Sequence, residues 1–145
     1  MRDAASSTSI DYLIHQAGRA LRRRFLAYLV EAQLPITSEQ WMILVPLWEA
    51  DGQAQRALAR KLHKDKTTIT RLLNAMETNG LIRREANPED RRQRLVFLTK
   101  RAQTLQQPVE RIARLVLEEA TEGVADADVE ACQRVLMHID QHLQV

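Results

Sequence analysis

The chain has 145 residues, of which 45% are hydrophobic and 28% are charged, and its formal net charge is +2 at pH 7. That length suits one ordinary domain, which buries roughly 68–70% of its unfolded surface without disulfides or metals, and the single cysteine excludes an intramolecular disulfide. The chain starts with polar residues, which argues against a secretory signal, and its longest apolar stretch, WMILVPLW at 41–48, is too short to span a membrane. We therefore expect a soluble protein of the reducing cytoplasm.

The positive charge is concentrated in the middle of the chain. Residues 54–101 contain thirteen Lys and Arg against five Asp and Glu, a net of +8, whereas the remaining residues contain eight against fourteen, a net of −6. Because duplex DNA is a dense line of phosphates, a basic centre between acidic arms is typical of a nucleic-acid-binding protein. A basic surface that only faces solvent would give the same composition. The positions of these residues along the predicted elements must distinguish it from a nucleic-acid-binding surface.

The first predicted helix runs from Ile10 to Leu34, where Pro35 stops it. One face of this helix carries the apolar set Ile10, Leu13, Ile14, Ala17, Leu21 and Tyr28.

A second helix is predicted to open at a capping box, Thr37-Ser-Glu-Gln40, and to end at Asp51-Gly52. Its predicted packing stripe consists of Trp41, Leu44, Val45 and Trp48. Pro46 removes one hydrogen bond from this helix and is expected to bend it.

Two short helices follow, joined by about three residues. Leu58 and Leu62 lie one turn apart on the first, and Asp65 is the predicted N-cap of the second. The packing face of the second helix is predicted to be Ile69, Leu72, Leu73 and Met76, and its opposite face carries Thr67, Thr70, Arg71 and Asn74. Such a pair is a helix-turn-helix, and short hydroxyls, an amide and a guanidinium suit a helix that reads the major groove. An ordinary surface helix is the alternative, for which threonine is a poor choice because of its β-branching.

After Gly80, the predicted end of that helix, the pattern changes to two strand-like segments, LIRRE and RLVFLT, around the turn-rich ANPEDRRQ. The sequence therefore predicts a β-hairpin whose tip carries Arg91, Arg92 and Arg94. Arginine is favoured in a narrow minor groove, so this hairpin is interpreted as a DNA-binding wing. Asp90 is expected either to pair with an arginine and hold the tip or to form a plain surface ion pair.

Two further helices are predicted after residue 102. On the last one, apolar residues alternate by three and four, which indicates a surface for another helix: Val129, Cys132, Leu136, Ile139 and Leu143. We expect Cys132 to be a packed, inert thiol rather than a redox sensor, because Arg134 is its only basic neighbour at helical spacing. His138 and His142 are one turn apart, and we interpret them as surface residues rather than metal ligands.

The order of these segments resembles the MarR family of winged-helix transcriptional regulators, over nearly the whole chain. The distinctive part is TTITRLLNAMETNGLIRR followed by the Asn-Pro-x-Asp-Arg-Arg wing and Leu-Thr. The resemblance implies a mainly α fold with a small β-hairpin wing, in which residues 35–101 form a winged helix-turn-helix domain and residues 1–34 and 102–145 form a helical dimerisation region. It also implies a homodimer that binds an inverted-repeat operator on double-stranded DNA, usually as a repressor, and leaves the DNA when a small, often phenolic, ligand binds.

Residue roles follow from this resemblance by position. The recognition helix from Lys66 to Asn74 would enter the major groove, and Arg92 would enter the minor groove. The DNA-binding set is then Lys66, Thr67, Thr68, Thr70, Arg71, Asn74, Arg91, Arg92 and Arg94. The effector site, bordered in the family by the first, second and fifth helices, would draw on His15, Arg19, Trp41, Met42 and Pro46. Trp41 has an alternative role as a core residue, since it lies on the predicted packing stripe.

We find no Walker loop, dinucleotide fingerprint or nucleophile elbow, and the sequence predicts no enzyme, cofactor or metal. Two hypotheses from different classes remain. One is a ligand-responsive, sequence-specific repressor, and the other is a winged helix without an effector that serves general nucleoid binding or protein interaction.

Overall fold

A computed structural model describes residues 6–144, and within that range the chain forms six helices and three short strands. In chain order these are α1 (Ile10–Glu31), α2 (Ser38–Glu49), β1 (Gln53–Ala54), α3 (Gln55–Lys61), α4 (Lys66–Thr78), β2 (Ile82–Ala86), β3 (Arg94–Leu98), α5 (Lys100–Ala120) and α6 (Asp126–His142). The predicted class, mainly α with a small β-hairpin, is confirmed.

The described chain divides into two compact units. Among the described residues, one unit contains 6–38 together with Pro108–Glu122, and the other contains Glu39–Gln107 together with 123–144. The predicted dimerisation region, 1–34 with 102–145, cuts across this division. It stays a prediction, because dimerisation concerns contacts with a second chain.

In the first unit, α1 ends at Glu31, three residues before the predicted end at Leu34. Gln33 has a φ of 56°, and such a left-handed residue terminates a helix before Pro35 is reached. The buried residues of α1 are Phe25 and Leu29, which the predicted apolar face did not include. The apolar residues at the start of that face remain exposed by 40–49% in the single chain: Ile10, Leu13 and Ile14.

A hydrogen-bonded cluster joins α1 to α5 within this first unit. Arg24 donates from Nε to Oε2 of Glu119 over 2.9 Å, and the hydroxyl of Tyr28 donates to Oε1 of the same carboxylate. The Arg24 guanidinium also lies 4.9 Å from the centre of the Tyr28 ring. The hydrogen bond from Tyr28 is the main cause that lowers the pKa of Glu119, so this carboxylate is charged at neutral pH.

In the second unit, the buried face of α2 differs from the predicted stripe. Leu44 is fully buried as predicted, whereas Trp41, Val45 and Trp48 are only half-buried. The buried set is Gln40, Ile43, Leu44, Pro46 and Leu47. The helix is apolar almost all round, and in such a helix periodicity cannot identify which face packs inward.

The three strands form an antiparallel sheet in the order β1-β3-β2. Ile82 pairs with Leu98 at one end of the hairpin and Ala86 with Arg94 at the other. The strand β1 was not predicted, because two residues carry no periodic pattern. It follows Gly52, whose φ is +76° and whose added Cβ would lie 2.8 Å from the Phe97 ring, so only glycine fits this approach.

Candidate nucleic-acid interface

The start of α4 is fixed by the predicted cap. Oδ1 of Asp65 accepts a hydrogen bond from the backbone N–H of Thr68 over 2.6 Å, so the helix begins at Lys66. This backbone hydrogen bond, and then one from the Thr68 side chain, lower the pKa of Asp65. Thr68 is therefore a partner of the cap, and its predicted contact with DNA stays a prediction.

The two faces of α4 are used as the sequence predicted. The packing face is buried, and it consists of Ile69, Leu72, Leu73 and Met76. The opposite face forms an open groove of about 430 Å³, and the residues that line it are Lys66, Thr67, Thr70, Arg71 and Asn74. The structure thus brings together, along one groove, five of the six residues predicted for the recognition helix.

Two side chains in this groove already have hydrogen-bond partners from other elements. The hydroxyl of Thr70 donates to the backbone carbonyl of Lys66 over 2.7 Å and accepts from Nε2 of Gln55 over 3.0 Å. Since a hydroxyl has one proton, Thr70 can offer a base only a lone pair and its methyl group. Asn74 accepts a hydrogen bond through Oδ1 from Nη2 of Arg84 on β2.

The tip of the hairpin is held by side chains that cap backbone N–H groups. Oδ1 of Asn87 accepts from the N–H of Glu89 over 3.0 Å, and Oδ1 of Asp90 accepts from the N–H of Arg92 over 3.1 Å. Asp90 thus stabilises the turn through the backbone, where the sequence predicted pairing with a guanidinium. Arg91 and Arg92 are exposed on this turn.

Arg94 is not at the tip, which corrects the sequence prediction. It is the first residue of β3 and pairs with Ala86 of β2. The turn closes at Gln93, whose N–H donates to the carbonyl of Asp90 over 3.0 Å, and the residue after such a closing hydrogen bond starts the strand.

A basic cleft of about 410 Å³ lies between α3, the start of α4 and the wing. The residues that line it are Gln55, Arg56, Ala59, Arg60, Lys66, Ile69, Arg92, Gln93 and Arg94. Guanidinium groups suit phosphate because they donate two parallel hydrogen bonds. Sequence reasoning missed Arg56 and Arg60. Their spacing of four residues on a predicted helix, next to a helix-turn-helix, was the signal that could have found them.

The predicted effector residues fall into the two different units. His15 and Arg19 are exposed on α1, in the first unit. On α2, in the second unit, Trp41 is half-buried and Met42 is 46% exposed. Pro46 is buried within α2, and its place in an effector site stays a prediction.

The described part of α6 contains no fully buried residue. Cys132 is exposed in the single chain, whereas the sequence predicted a packed thiol. The rings of His138 and His142 stack with their centres 5.3 Å apart.

Between residues 6 and 144 there is no group of three or more His, Cys, Asp or Glu side chains that could hold a metal ion. No helix in that range has the length and apolar character needed to cross a membrane.

Comparison with known proteins identifies the family. A model of the MarR family matches residues 36–93, which include α2, the helix-turn-helix and most of the wing. The transcriptional regulator HosA of Escherichia coli O111:H- is 34% identical over 90 residues, which cover 60% of this chain and 67% of HosA. The chain belongs to the MarR family. Two other curated relatives, 31 and 32% identical, are matched over only 47% and 59% of their own length.

Solved structures agree with the fold of this MarR-family chain. A MarR family transcriptional regulator from Listeria monocytogenes, crystallised in complex with 26mer DNA, superposes with a TM-score of 0.83 at 26% identity, over 99% of this chain and 91% of that one. CouR from Rhodococcus jostii RHA1, bound to p-coumaroyl-CoA, superposes with a TM-score of 0.83 at 23% identity, over 99% of both chains. The second likeness concerns the fold alone.

Proposed function

We propose that this MarR-family chain is a transcriptional repressor that acts in the cytoplasm as a homodimer on an inverted-repeat DNA operator and is released by a small ligand. The observation that carries the proposal is the open polar groove on α4. Its lining residues lie on one face of a capped helix, with their packing face fully buried behind them. A helix presented in this way, without an acidic side chain in the groove, suits the major groove of DNA.

The basic residues around α4 support contact with the phosphate backbone. The cleft beside α4 is lined by four arginines and one lysine, and Arg91 extends the positive charge to the tip of the wing. Phosphate contacts of this kind position a protein on the duplex, whereas the groove residues provide sequence readout. We expect Thr67 and Arg71 to determine base preference, and Arg91, Arg92 and Arg94 to determine affinity.

The homodimer is proposed from the apolar surface that the single chain leaves open. At the start of α1, along α6 and at the C-cap of α6, large apolar side chains are exposed by 40–65%: Ile10, Tyr12, Leu13, Ile14, Val135, Leu136, Met137 and Leu143. Many large apolar side chains exposed on the surface of one small protein are typical of a protein interface. Two recognition helices in a symmetric dimer would bind half-sites about one turn of DNA, ~34–36 Å, apart.

The effector is proposed to be a small aromatic or phenolic compound. CouR, which shares this fold, has been crystallised with p-coumaroyl-CoA. The family resemblance assigns to this site His15 and Arg19, whose side chains suit an anionic or phenolic group, and Trp41 and Met42, whose side chains suit an aromatic ring. The ligand must bind the DNA-free arrangement of the dimer more tightly than the DNA-bound one, by a coupling of typically ~1–3 kcal/mol.

Selection from a library of randomised duplexes, followed by competition with random DNA, tests this function. A specific regulator will recover one inverted repeat and will keep it in the presence of excess competitor. Substitution of Arg71 by Ala should change the selected sequence, whereas substitution of Arg92 by Ala should weaken binding to all sequences alike. Binding without a recovered sequence would instead support the alternative, a nucleoid protein without an effector.

A further inference from the structure

Arg84 on β2 contacts the recognition helix through its side chain and its backbone. Its guanidinium donates to Oδ1 of Asn74 and, through Nε, to Oε2 of Glu77 over 3.3 Å. Its backbone N–H donates to the same oxygen of Glu77 over 3.1 Å. The Arg84 side chain is only 10% exposed, so its position is fixed by packing as well as by these hydrogen bonds.

This interaction determines which end of the Asn74 amide faces the groove. A guanidinium can only donate hydrogen bonds, so the amide must turn its oxygen toward Arg84. The amide nitrogen of Asn74 then points away from Arg84. Between residues 6 and 144 no group accepts a hydrogen bond from this nitrogen. Because Asn74 lines the α4 groove, this N–H₂ group is a donor available to a base.

Glu77 anchors the guanidinium that turns the amide. Its carboxylate accepts from both the backbone and the side chain of Arg84, and the side-chain hydrogen bond is the main cause that lowers the pKa of Glu77. The negative charge of Glu77, one turn from Asn74, is thereby balanced by the positive charge of Arg84. In this way the only acidic residue of α4 supports the orientation of Asn74 rather than repelling phosphate.

We propose that Arg84 is a positioning residue for sequence recognition, which holds Asn74 as a hydrogen-bond donor in the groove of α4. The proposal rests on the DNA-binding function proposed above. In the major groove guanine presents two acceptors, N7 and O6, whereas cytosine presents the N4 donor. Asn74 held in this orientation therefore favours guanine over cytosine at the base that it faces, and an amide free to flip tolerates both.

Base preference at one operator position tests the proposal. The affinities of duplexes carrying each base at each half-site position are measured for the wild type and for Asn74→Ala, which identifies the position that Asn74 reads. There the wild type should favour guanine over cytosine by roughly tenfold. Arg84→Met should reduce this ratio to roughly twofold or less, and leave positions read by Thr67 and Arg71 unchanged. In the double variant with Asn74→Ala, Arg84→Met should have no further effect on the ratio.

Two further variants separate positioning from folding and charge. Arg83→Met removes the neighbouring arginine of β2, which pairs with Glu85 and lies over the Phe97 ring, and it should keep the wild-type ratio. Glu77→Gln removes the carboxylate that anchors Arg84, and it should lower the ratio even if Arg84→Met does not fold. An unchanged ratio in Arg84→Met, or equal changes at all positions, would overturn the proposal.

An NMR measurement on the DNA-free protein separates this inference from the proposed function. The side-chain amide signals of Asn74, assigned by their absence in Asn74→Ala, should shift in Arg84→Met and in Glu77→Gln but not in Arg83→Met. Unshifted signals would show that Arg84 does not orient the amide. If the wild type fails to distinguish any operator from random DNA, the proposed function fails, and these signals still decide whether Arg84 orients Asn74.

Discussion

His63 and Asp140 are joined by a hydrogen bond of 2.7 Å between Nε2 and Oδ1, which ties the turn of the helix-turn-helix to the last helix of the chain. The two residues are 77 positions apart, and both side chains are about half exposed. His63 also has a φ of 52°, in the left-handed region that disfavours residues with a Cβ. The turn before α4 thus contains a residue, His63, in an unfavourable backbone conformation, and the hydrogen bond with Asp140 helps to stabilise that conformation.

A pair of substitutions at His63 should separate these two effects. His63→Ala removes the hydrogen bond with Asp140 but keeps the unfavourable backbone conformation, whereas His63→Gly removes both the hydrogen bond and the conformational cost. We therefore expect His63→Gly to be more stable than His63→Ala by about 1 kcal/mol. Urea unfolding of both variants measures the difference, and equal stabilities would contradict it.

The cap at Asp65 should make the stability of the protein depend on pH in the acid range. Hydrogen bonds in the folded state lower the pKa of Asp65 below its ordinary value of 3.8, so its stabilisation is present above that value and is lost as the pH falls through the lower, folded-state pKa. Asp65→Ala should lower the thermal midpoint at neutral pH, and the difference from the wild type should shrink in acid. Asp65→Asn keeps a cap oxygen without the charge, and should retain most of the stability with a weaker pH dependence.

Arg92 should contribute to DNA affinity through electrostatics. Arg92→Ala removes a positive charge from the tip of the wing, so it should weaken operator binding and reduce the slope of log affinity against log salt by roughly 0.9 for each phosphate that is no longer neutralised. Binding titrations at several salt concentrations measure this slope. The exposed Arg111 on α5 provides a matched control, and Arg111→Ala should leave the slope unchanged. If Arg92→Ala has the affinity and slope of the wild type, the wing does not bind DNA.

Leu136 should be required for the proposed dimer. It is 42% exposed in the single chain and lies on the apolar heptad pattern of α6. An aspartate there would place a charge in the apolar interface, so Leu136→Asp should shift the protein from dimer to monomer and lower its thermal midpoint. Sedimentation across a dilution series measures the assembly. Gln133→Asp, an exposed and already polar position on the same helix, should remain dimeric.

Arg19 should affect release from DNA rather than DNA binding. If its guanidinium meets the anionic group of an aromatic effector, Arg19→Ala should bind the operator as the wild type does but should need more of an acidic aromatic, such as a benzoate, for release. Titration of candidate aromatics against a labelled operator, with tryptophan fluorescence as a second readout, tests this. Arg22→Ala, another exposed arginine of α1, is the control. Equal sensitivity of the wild type and Arg19→Ala would remove Arg19 from the site.

Local sequence signals determined the elements and the two faces of α4. The cap at Asp65 and the apolar spacing from Ile69 to Met76 each depend on residues within one or two turns, so they could be interpreted without knowing the fold. The hairpin was predicted for the same reason, from a turn-rich segment between two strand-like ones. Local spacing failed for α2, because an apolar helix carries no contrast between its faces, and for the two residues of β1.

Tertiary structure alone decided which groups on α4 remain available to a partner. Arg84, ten residues from Asn74 in the sequence, donates a hydrogen bond to the side-chain oxygen of Asn74. Gln55, fifteen residues from Thr70, donates a hydrogen bond to the Thr70 hydroxyl. Arg56 joins Arg92 in one cleft only because α3 packs beside the wing. Periodicity describes the direction of a side chain around its own helix or strand, but a hydrogen bond between elements depends on the distance between them. The sequence by itself therefore determined which face of α4 is polar and open in this MarR-family chain, and the packing of β2 and α3 against α4 decided which hydrogen bonds that face can still donate and accept.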